Sequence, residues 1–363
     1  MSKNEKKIIS PFTYVSISNF LVVGVLFLIS DYFSSFADLI NGSISQTFRK
    51  FMASIGEIFS FSLFELLVIC LPVIIGLIIY RAVKVFPDKR LRAGFTINFA
   101  AVVLLIYSGH LLALGIAHNT TPISKKMNLT EVEVTEERLC ETLDDLIDEI
   151  NSLAEGVDRD QNGIFTHGYS YPEFSREICD FYNSFALKYS LPKGYYSSAK
   201  GVRAGFAMCY LGISGIYTYV TGEANVNTAY PDYITLFTAA HEMSHQRGIL
   251  RENEANFVAY ILLSTSDNDS FRYSAELNMY SYFASALYRT DKDAYYDAVK
   301  RLSPLAKDDI RAANAVSDKY SNTLLEDISE WINDLYLQSS GSEGVVSYSR
   351  VVELVLAYRY GSR

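Results

Sequence analysis

Apolar residues follow two different rhythms along this chain. In the first third they form unbroken runs at 12–30 ("FTYVSISNFLVVGVLFLIS"), 61–80 ("FSLFELLVICLPVIIGLIIY") and 97–117 ("INFAAVVLLIYSGHLLALGIA"). Each is close to the roughly 20 residues that carry a helix across a bilayer core. Three in succession predict three membrane helices. The first follows Lys3, Lys6 and Lys7 but is long for a signal segment and has no convincing small-residue cleavage site. It therefore reads as an uncleaved anchor.

Beyond residue 118 the rhythm becomes periodic. Leu139, Leu143, Leu146, Ile147 and Ile150 recur at three- and four-residue spacing, which predicts an amphipathic helix. Gly156, Gly163, Gly168 and Pro172 break it, and a second helical pattern covers 174–189. The next stretch mixes glycine with β-favouring residues and reads as two short strands, the second near 216–226. Pro231 opens a further helix, and helices continue to the end with polar breaks near 266–270 and 338–344. The expected fold is mainly α: a membrane anchor over 1–118, then a helical domain over 119–363 with a small sheet beside one helix.

Charge orients the anchor. Residues 1–118 carry 10 Lys/Arg against 6 Asp/Glu (net +4); the remainder carries 22 against 35 (net −13), giving −9 overall. So acidic a domain excludes nucleic acid as a partner, since phosphate contacts need a basic face. Arg81, Lys84, Lys89, Arg90 and Arg92 crowd the link between the second and third runs, whereas the first link holds only Arg49 and Lys50. Cytoplasmic loops collect Lys and Arg, so the N-terminus is expected inside and 119–363 outside a bacterial cell membrane. Of the four cysteines, Cys140 and Cys179 are the better-placed pair, although no spacing fixes a bond between them.

The helix opened by Pro231 leads into "HEMSHQRGILRENEANF", residues 241–257. His241 and His245 are four apart, so both imidazoles leave one helix face. That arrangement suits zinc, which accepts neutral imidazole nitrogens. Glu242 lies beside such an ion without ligating it, where it can act as a general base. A chance match is the bland explanation, with odds of roughly one in a few hundred. Gly248 is placed to end the helix in a left-handed conformation, and a new helix follows with Glu252 and Glu254 in its first turn. Either glutamate could simply oppose the helix dipole. Glu252 shares a face with Asn256, which suits a third ligand plus a group that orients a histidine through its other ring nitrogen. Glu254 points about 200° away from Glu252 and is the alternative ligand.

"HEMSH" followed by "ENEAN" resembles the zinc peptidases of the thermolysin and membrane prenyl-peptidase kind. That resemblance implies a zincin-like outer domain with His241, His245 and Glu252 as zinc ligands, Glu242 as base and Asn256 behind the ligands. The three apolar runs, with "TGEANVN", "HEMSHQRGILRENEANFVAY" and "VVSYSRVVELVLAY", look like the bacterial membrane family catalogued as domain of unknown function 3810. The expected function is a membrane-anchored zinc metallopeptidase, with membrane lipid and an extracytoplasmic peptide or protein as partners. The rival is a catalytically silent sensor or scaffold that retains a structural zinc. An intramembrane protease is disfavoured, because Arg247, Arg251, Glu252 and Glu254 directly follow the motif.

Several residues carry weaker signals. "GIYTYVTGEANVN" (215–227) is either a core strand or an edge that pairs with substrate backbone. Glu223 is expected to face solvent. His110 sits inside the third run, where a histidine hydrogen-bonded to a neighbouring helix is the plainer reading. His167, Tyr273 and Tyr280 are candidates to hold a developing oxyanion, and nothing in the spacing chooses among them.

Overall fold

The structure is a computed structural model and describes residues 10–320 and 345–361. It is mainly helical. The anchor side comprises α1 (Pro11–Tyr32), α2 (Ser34–Ile40), α3 (Gln46–Glu57), α4 (Leu63–Val85), α5 (Lys89–His110) and the short α6 (Ile116–His118). Two π-helical turns, Asn41–Ser45 and Leu111–Gly115, join α2 to α3 and α5 to α6. The rest comprises α7 (Ile123–Lys126), α8 (Glu136–Ala154), α9 (Tyr171–Lys188), β1 (Lys200–Val202), α10 (Gly205–Cys209), β2 (Gly215–Thr218), β3 (Glu223–Asn227), α11 (Asp232–Gln246), α12 (Glu252–Ser264), α13 (Asp269–Thr290), α14 (Lys292–Arg301), α15 (Pro304–Tyr320) and a last helix, Val345–Tyr360.

Among the described residues, three helices are long and apolar enough to cross a membrane: Pro11–Tyr32, Leu63–Val85 and Lys89–His118. Their starts follow from local chemistry. Ser10, Ser62 and Asp88 each accept a backbone N–H of the following first turn, and Pro11 stands where a helix needs no donor. The first and third are joined by polar contacts, since Ser10 and Thr13 both donate to Asn98 Oδ1 at 2.9 Å. The second leaves its apolar side chains exposed along its length, as lipid-facing residues would be.

The hydrophobic core lies in the second part, where α8, α9, α11, α12, α13 and the last helix pack together. All five periodic residues of α8 are buried, as their spacing predicts. Each such side chain contributes roughly 1.5–3 kcal/mol on burial. The expected break near 266–270 falls between α12 and α13, whereas that near 338–344 lies outside the described residues.

The sheet has three strands where two were expected. The segment read as one strand turns at residues 219–222, so β2 and β3 form an antiparallel hairpin, and β1 joins β3 in parallel to give the order β1-β3-β2. Gly222 makes the turn possible with φ +71°, a value that favours glycine. β3 is buried along its whole length because α11 covers one side of the sheet while α3 and α4 approach from the other.

The link between the first two membrane helices is thus no simple loop. Residues 33–62 fold into α2 and α3 and grip the second part of the chain. Buried Arg49 donates to a carbonyl in each π-helical turn, those of Asn41 and Ala113, and to Asn41 Oδ1. Those turns free carbonyls that a regular helix would use, and a fully buried guanidinium needs such acceptors. Asn41 in turn donates to the carbonyl of Gly248, directly behind the His-Glu motif.

Glu223 does not face solvent. It is fully buried, accepts the N–H groups of Leu63 and Phe64 at the start of α4, and pairs with Lys200 at 2.9 Å. A carboxylate at a helix N-terminus satisfies orphan donors and the dipole together. The Lys200 ammonium also donates to the carbonyls of Gly56, Phe59 and Phe61.

Candidate metal centre

The centre is assembled by a helix end. α11 closes with Gly248 in a left-handed conformation (φ +87°). The N–H of Gly248 bonds the carbonyl of His245, and the N–H of Ile249 bonds that of Ser244. This paired capping pattern reverses the chain tightly. It also turns the Ile249 carbonyl back onto His245, whose Nδ1 lies 2.8 Å from it. Nδ1 is therefore the protonated nitrogen, and the Nε2 lone pair is free to ligate.

The reversed chain brings in α12. Glu252 in its first turn lies 3.2 Å from His241 Nε2 through one oxygen and 3.4 Å from His245 Nε2 through the other. The two imidazoles stand nearly perpendicular, with ring centres 4.5 Å apart. Donor atoms of His241, His245 and Glu252 all fall within 4.8 Å of one another. Around a tetrahedral zinc with bonds of ~2.0–2.1 Å, neighbouring donors stand about 3.3 Å apart. The donor set and its spacing fit a divalent ion of this kind.

Glu254 is turned the other way. It is buried, pairs with Arg251 at 3.1 Å and accepts the N–H of Ile123. Arg251 also donates to the carbonyls of His118 and Thr120, so this pair ties α12 to the end of the third membrane helix. Of the two glutamates, geometry joins only Glu252 to the histidines.

Glu242 is buried beside them, and among the described residues one of its carboxylate oxygens, Oε2, has no hydrogen-bond partner. Burial raises its pKa above the usual carboxylate range. The two histidines and the backbone N–H of Tyr217 on β2 pull it back, while Glu252 adds to the rise. Room for it is made by Gly215, where a Cβ would come within 2.7 Å of Glu242 Oε1 and 2.4 Å of Thr238 Cγ2. Burial also opposes charge on His245, but the adjoining Glu252 and Glu242 outweigh it and hold the imidazole up at about 9. Glu252 is held well below the ordinary carboxylate range by the same histidines, against its burial. Without an ion, the cluster thus retains a proton that a metal would displace.

Other residues singled out in the sequence lie elsewhere. Asn256 is half-buried one turn beyond Glu252. The partner of His245 Nδ1 is the Ile249 carbonyl, and buried His241 Nδ1 has no hydrogen-bond partner. His167 accepts from the Tyr169 N–H and faces Asp232 at the start of α11. Nine residues of helix, about 14 Å, separate that end from His241. Tyr273 is locked in a buried network with Asp309 and Arg159, and Tyr280 is a core residue. His110 packs against Tyr107 and Tyr219. All four cysteines are free, so Cys140 and Cys179 are unpaired.

Two supports were not visible as motifs. Arg247 is fully buried, with its guanidinium over the rings of Tyr182 and Tyr196 at 4.7 and 5.2 Å and one donor on the Met243 carbonyl. Gln246 donates to Ser197 and to the Gly222 carbonyl, tying the motif helix to the hairpin turn.

Three helices long and apolar enough to cross a membrane, fused to a helical domain that brings two histidines and two glutamates together, give a chain consistent with membrane association that carries a candidate metal centre. The chain belongs to the family described as "Protein of unknown function (DUF3810)", whose model matches residues 41–356. That span takes in Asn41, Arg49 and the whole His-Glu cluster. No curated protein and no solved structure matches the chain.

Proposed function

We propose that this protein is a zinc-dependent metallopeptidase of the bacterial cell membrane, with a zincin-like catalytic domain outside the cytoplasm. The observation that carries the reading is the convergence of His241, His245 and Glu252 beside a buried Glu242 that keeps one oxygen unpartnered. A buried polar atom without a partner is costly, by roughly 1–3 kcal/mol, and a catalytic role is one of the reasons such an atom persists. A site that merely clamps the fold would have no use for it.

Orientation follows from charge. The basic turn between α4 and α5 lies at the far ends of those helices, about 35 Å along α4 from Glu223. The positive-inside preference then sets the N-terminus in the cytoplasm and the metal centre outside.

Zinc held by the two Nε2 atoms and Glu252 would supply Lewis acidity to a scissile carbonyl and to the attacking water. The Ile249 carbonyl keeps His245 in the ligating tautomer. Glu242 takes a proton from the water as its oxygen joins the carbonyl carbon. It returns that proton to the amine nitrogen as the C–N bond breaks, leaving a carboxylic acid and an amine. β2, an edge strand touching Glu242, offers its backbone to an extended substrate.

The test is metal content and peptide hydrolysis by the purified full chain in detergent. Wild type is expected to hold one zinc. Glu242→Gln should retain it while turnover falls by ~10³-fold or more, the scale of losing a general base from a metal site. Glu252→Gln should lose metal and Glu254→Gln should keep it. A folded wild type that takes up no added zinc would overturn the peptidase reading in favour of a silent scaffold. Zinc retained in an inert protein would point to the sensor reading.

A further inference from the structure

The hairpin that touches Glu242 also reaches the lipid boundary. α3 carries Ile44, Phe51, Ile55 and Ile58 on or next to it, and all four are exposed although the spacing keeps them near one face. Its other face buries Arg49, Ala53 and Gly56. A helix with an exposed apolar stripe, set between two membrane helices, is built to lie in the membrane interface.

The β2–β3 turn sits directly on this helix. A Cβ on Gly222 would fall 2.2 Å from Ala53 N, and one on Gly56 would fall 2.8 Å from the Thr221 carbonyl oxygen. Tyr219, at the end of β2, donates to the Ile106 carbonyl, and its ring covers Gly109. Along the third membrane helix, Ile106 and Tyr107 are exposed whereas Leu111 and Ala113 are buried. Tyr219 therefore stands where the lipid-facing surface ends. From there to Gly215, against Glu242, is four residues of strand, about 13 Å at ~3.3 Å each. Asn225, the β3 partner of Ile216, accepts from Ser62 at the start of the second membrane helix. Both ends of the strand are thus held close to the bilayer, and among the described residues β2 has no strand on its outer side.

We infer that the substrate is the juxtamembrane stretch of another membrane-anchored polypeptide, paired along β2 and cut within about five residues of its membrane helix, the span that ~3.3 Å per residue allows from the lipid boundary to Glu242 and a little beyond. This rests on the peptidase reading. A soluble polypeptide must bring an extended segment down to the lipid surface, whereas a co-embedded one arrives there at high effective concentration.

The experiment uses the full chain, zinc-loaded, in phospholipid vesicles. One probe is a single-span reporter carrying a 20-residue mixed-sequence segment beside its helix on the side of the metal centre. The second carries the same segment on a soluble carrier, and the third separates helix and segment by a flexible spacer. New termini are read by mass spectrometry against Glu242→Gln. The tethered probe should be cut ~10-fold faster or more, as co-localisation predicts, with termini clustered near the helix and cutting reduced by the spacer. Equal cutting of soluble and tethered probes, at positions indifferent to the membrane, would overturn the inference and leave the peptidase standing. No cutting of any probe would remove both. Independently of activity, Val220→Trp in a Trp331→Phe background should be quenched by lipids with brominated acyl chains. An unquenched Trp would overturn the placement.

Discussion

Two buried carboxylates in this protein are treated in opposite ways. At the membrane junction, Glu223 spends both oxygens on the first turn of α4 and on Lys200, and the ammonium it pairs with reaches three further carbonyls. At the metal centre, Glu242 keeps Oε2 unpartnered and His241 keeps Nδ1 unpartnered. Both carboxylates are buried, so burial alone does not separate them. Completeness does. A network with every donor and acceptor matched specifies a structure, whereas the oxygen left open on Glu242 is the one that the proposed base would use.

The sharpest way to break this contrast is at the complete end. Lys200→Met strands the Glu223 charge and should cost ~3–5 kcal/mol in unfolding experiments on detergent-solubilised protein. The zinc content of the surviving folded fraction should be unchanged. A loss under ~1 kcal/mol would mean that the pair is as dispensable as an exposed one. Next comes Gly215→Ala, whose methyl meets Glu242 and Thr238. Displacing a base by about 1 Å lowers turnover by ~10²-fold, and metal content should not move. Smaller again, Glu242→Gln should raise the stability of the metal-free protein by ~1 kcal/mol, because the burial penalty on an ionised carboxylate is removed.

The contrast can also be sharpened by pH acting on the metal-free protein. His245 is held up at about 9, so its stabilising pairing with Glu252 is complete below the unfolded imidazole value of ~6.5 and fades as pH rises toward 9. Glu252 is held low, so its share is present above the unfolded carboxylate value of ~4.3 and disappears only in acid. The melting temperature should be flat between these values, decline from there to pH 9, and show no such decline once zinc is bound. A flat profile to pH 9 would place the proton elsewhere.

What the sequence revealed at the centre is what periodicity and capping can encode. The four-residue histidine spacing, Gly248 as a helix stop and Glu252 in the first turn of the next helix all translate into the observed cluster. The Ile249 carbonyl could not be foreseen as the group that orients His245, since any residue there carries one and only the cap aims it. Glu223 was misread for a related reason. Strand alternation assigns faces but says nothing of what covers them, and the cover on β3 comes from residues 160 positions earlier. The same holds for Arg49, an isolated cation on paper whose acceptors lie in two distorted helix turns. The three long apolar helices were the easiest feature to read, because continuous runs of apolar residues mark their length directly. Their contacts with the side that carries the His-Glu cluster were invisible.

The contact between Asn41 and Gly248 joins points 207 residues apart in the chain. During synthesis, the helices that carry Asn41 and Arg49 are made long before the histidines exist, and the turn behind His245 has nothing to settle on until they are in place. A chain whose first helices fail to take their places therefore lacks the platform on which the turn behind His245 rests, so the His-Glu cluster takes shape only after the N-terminal third has settled.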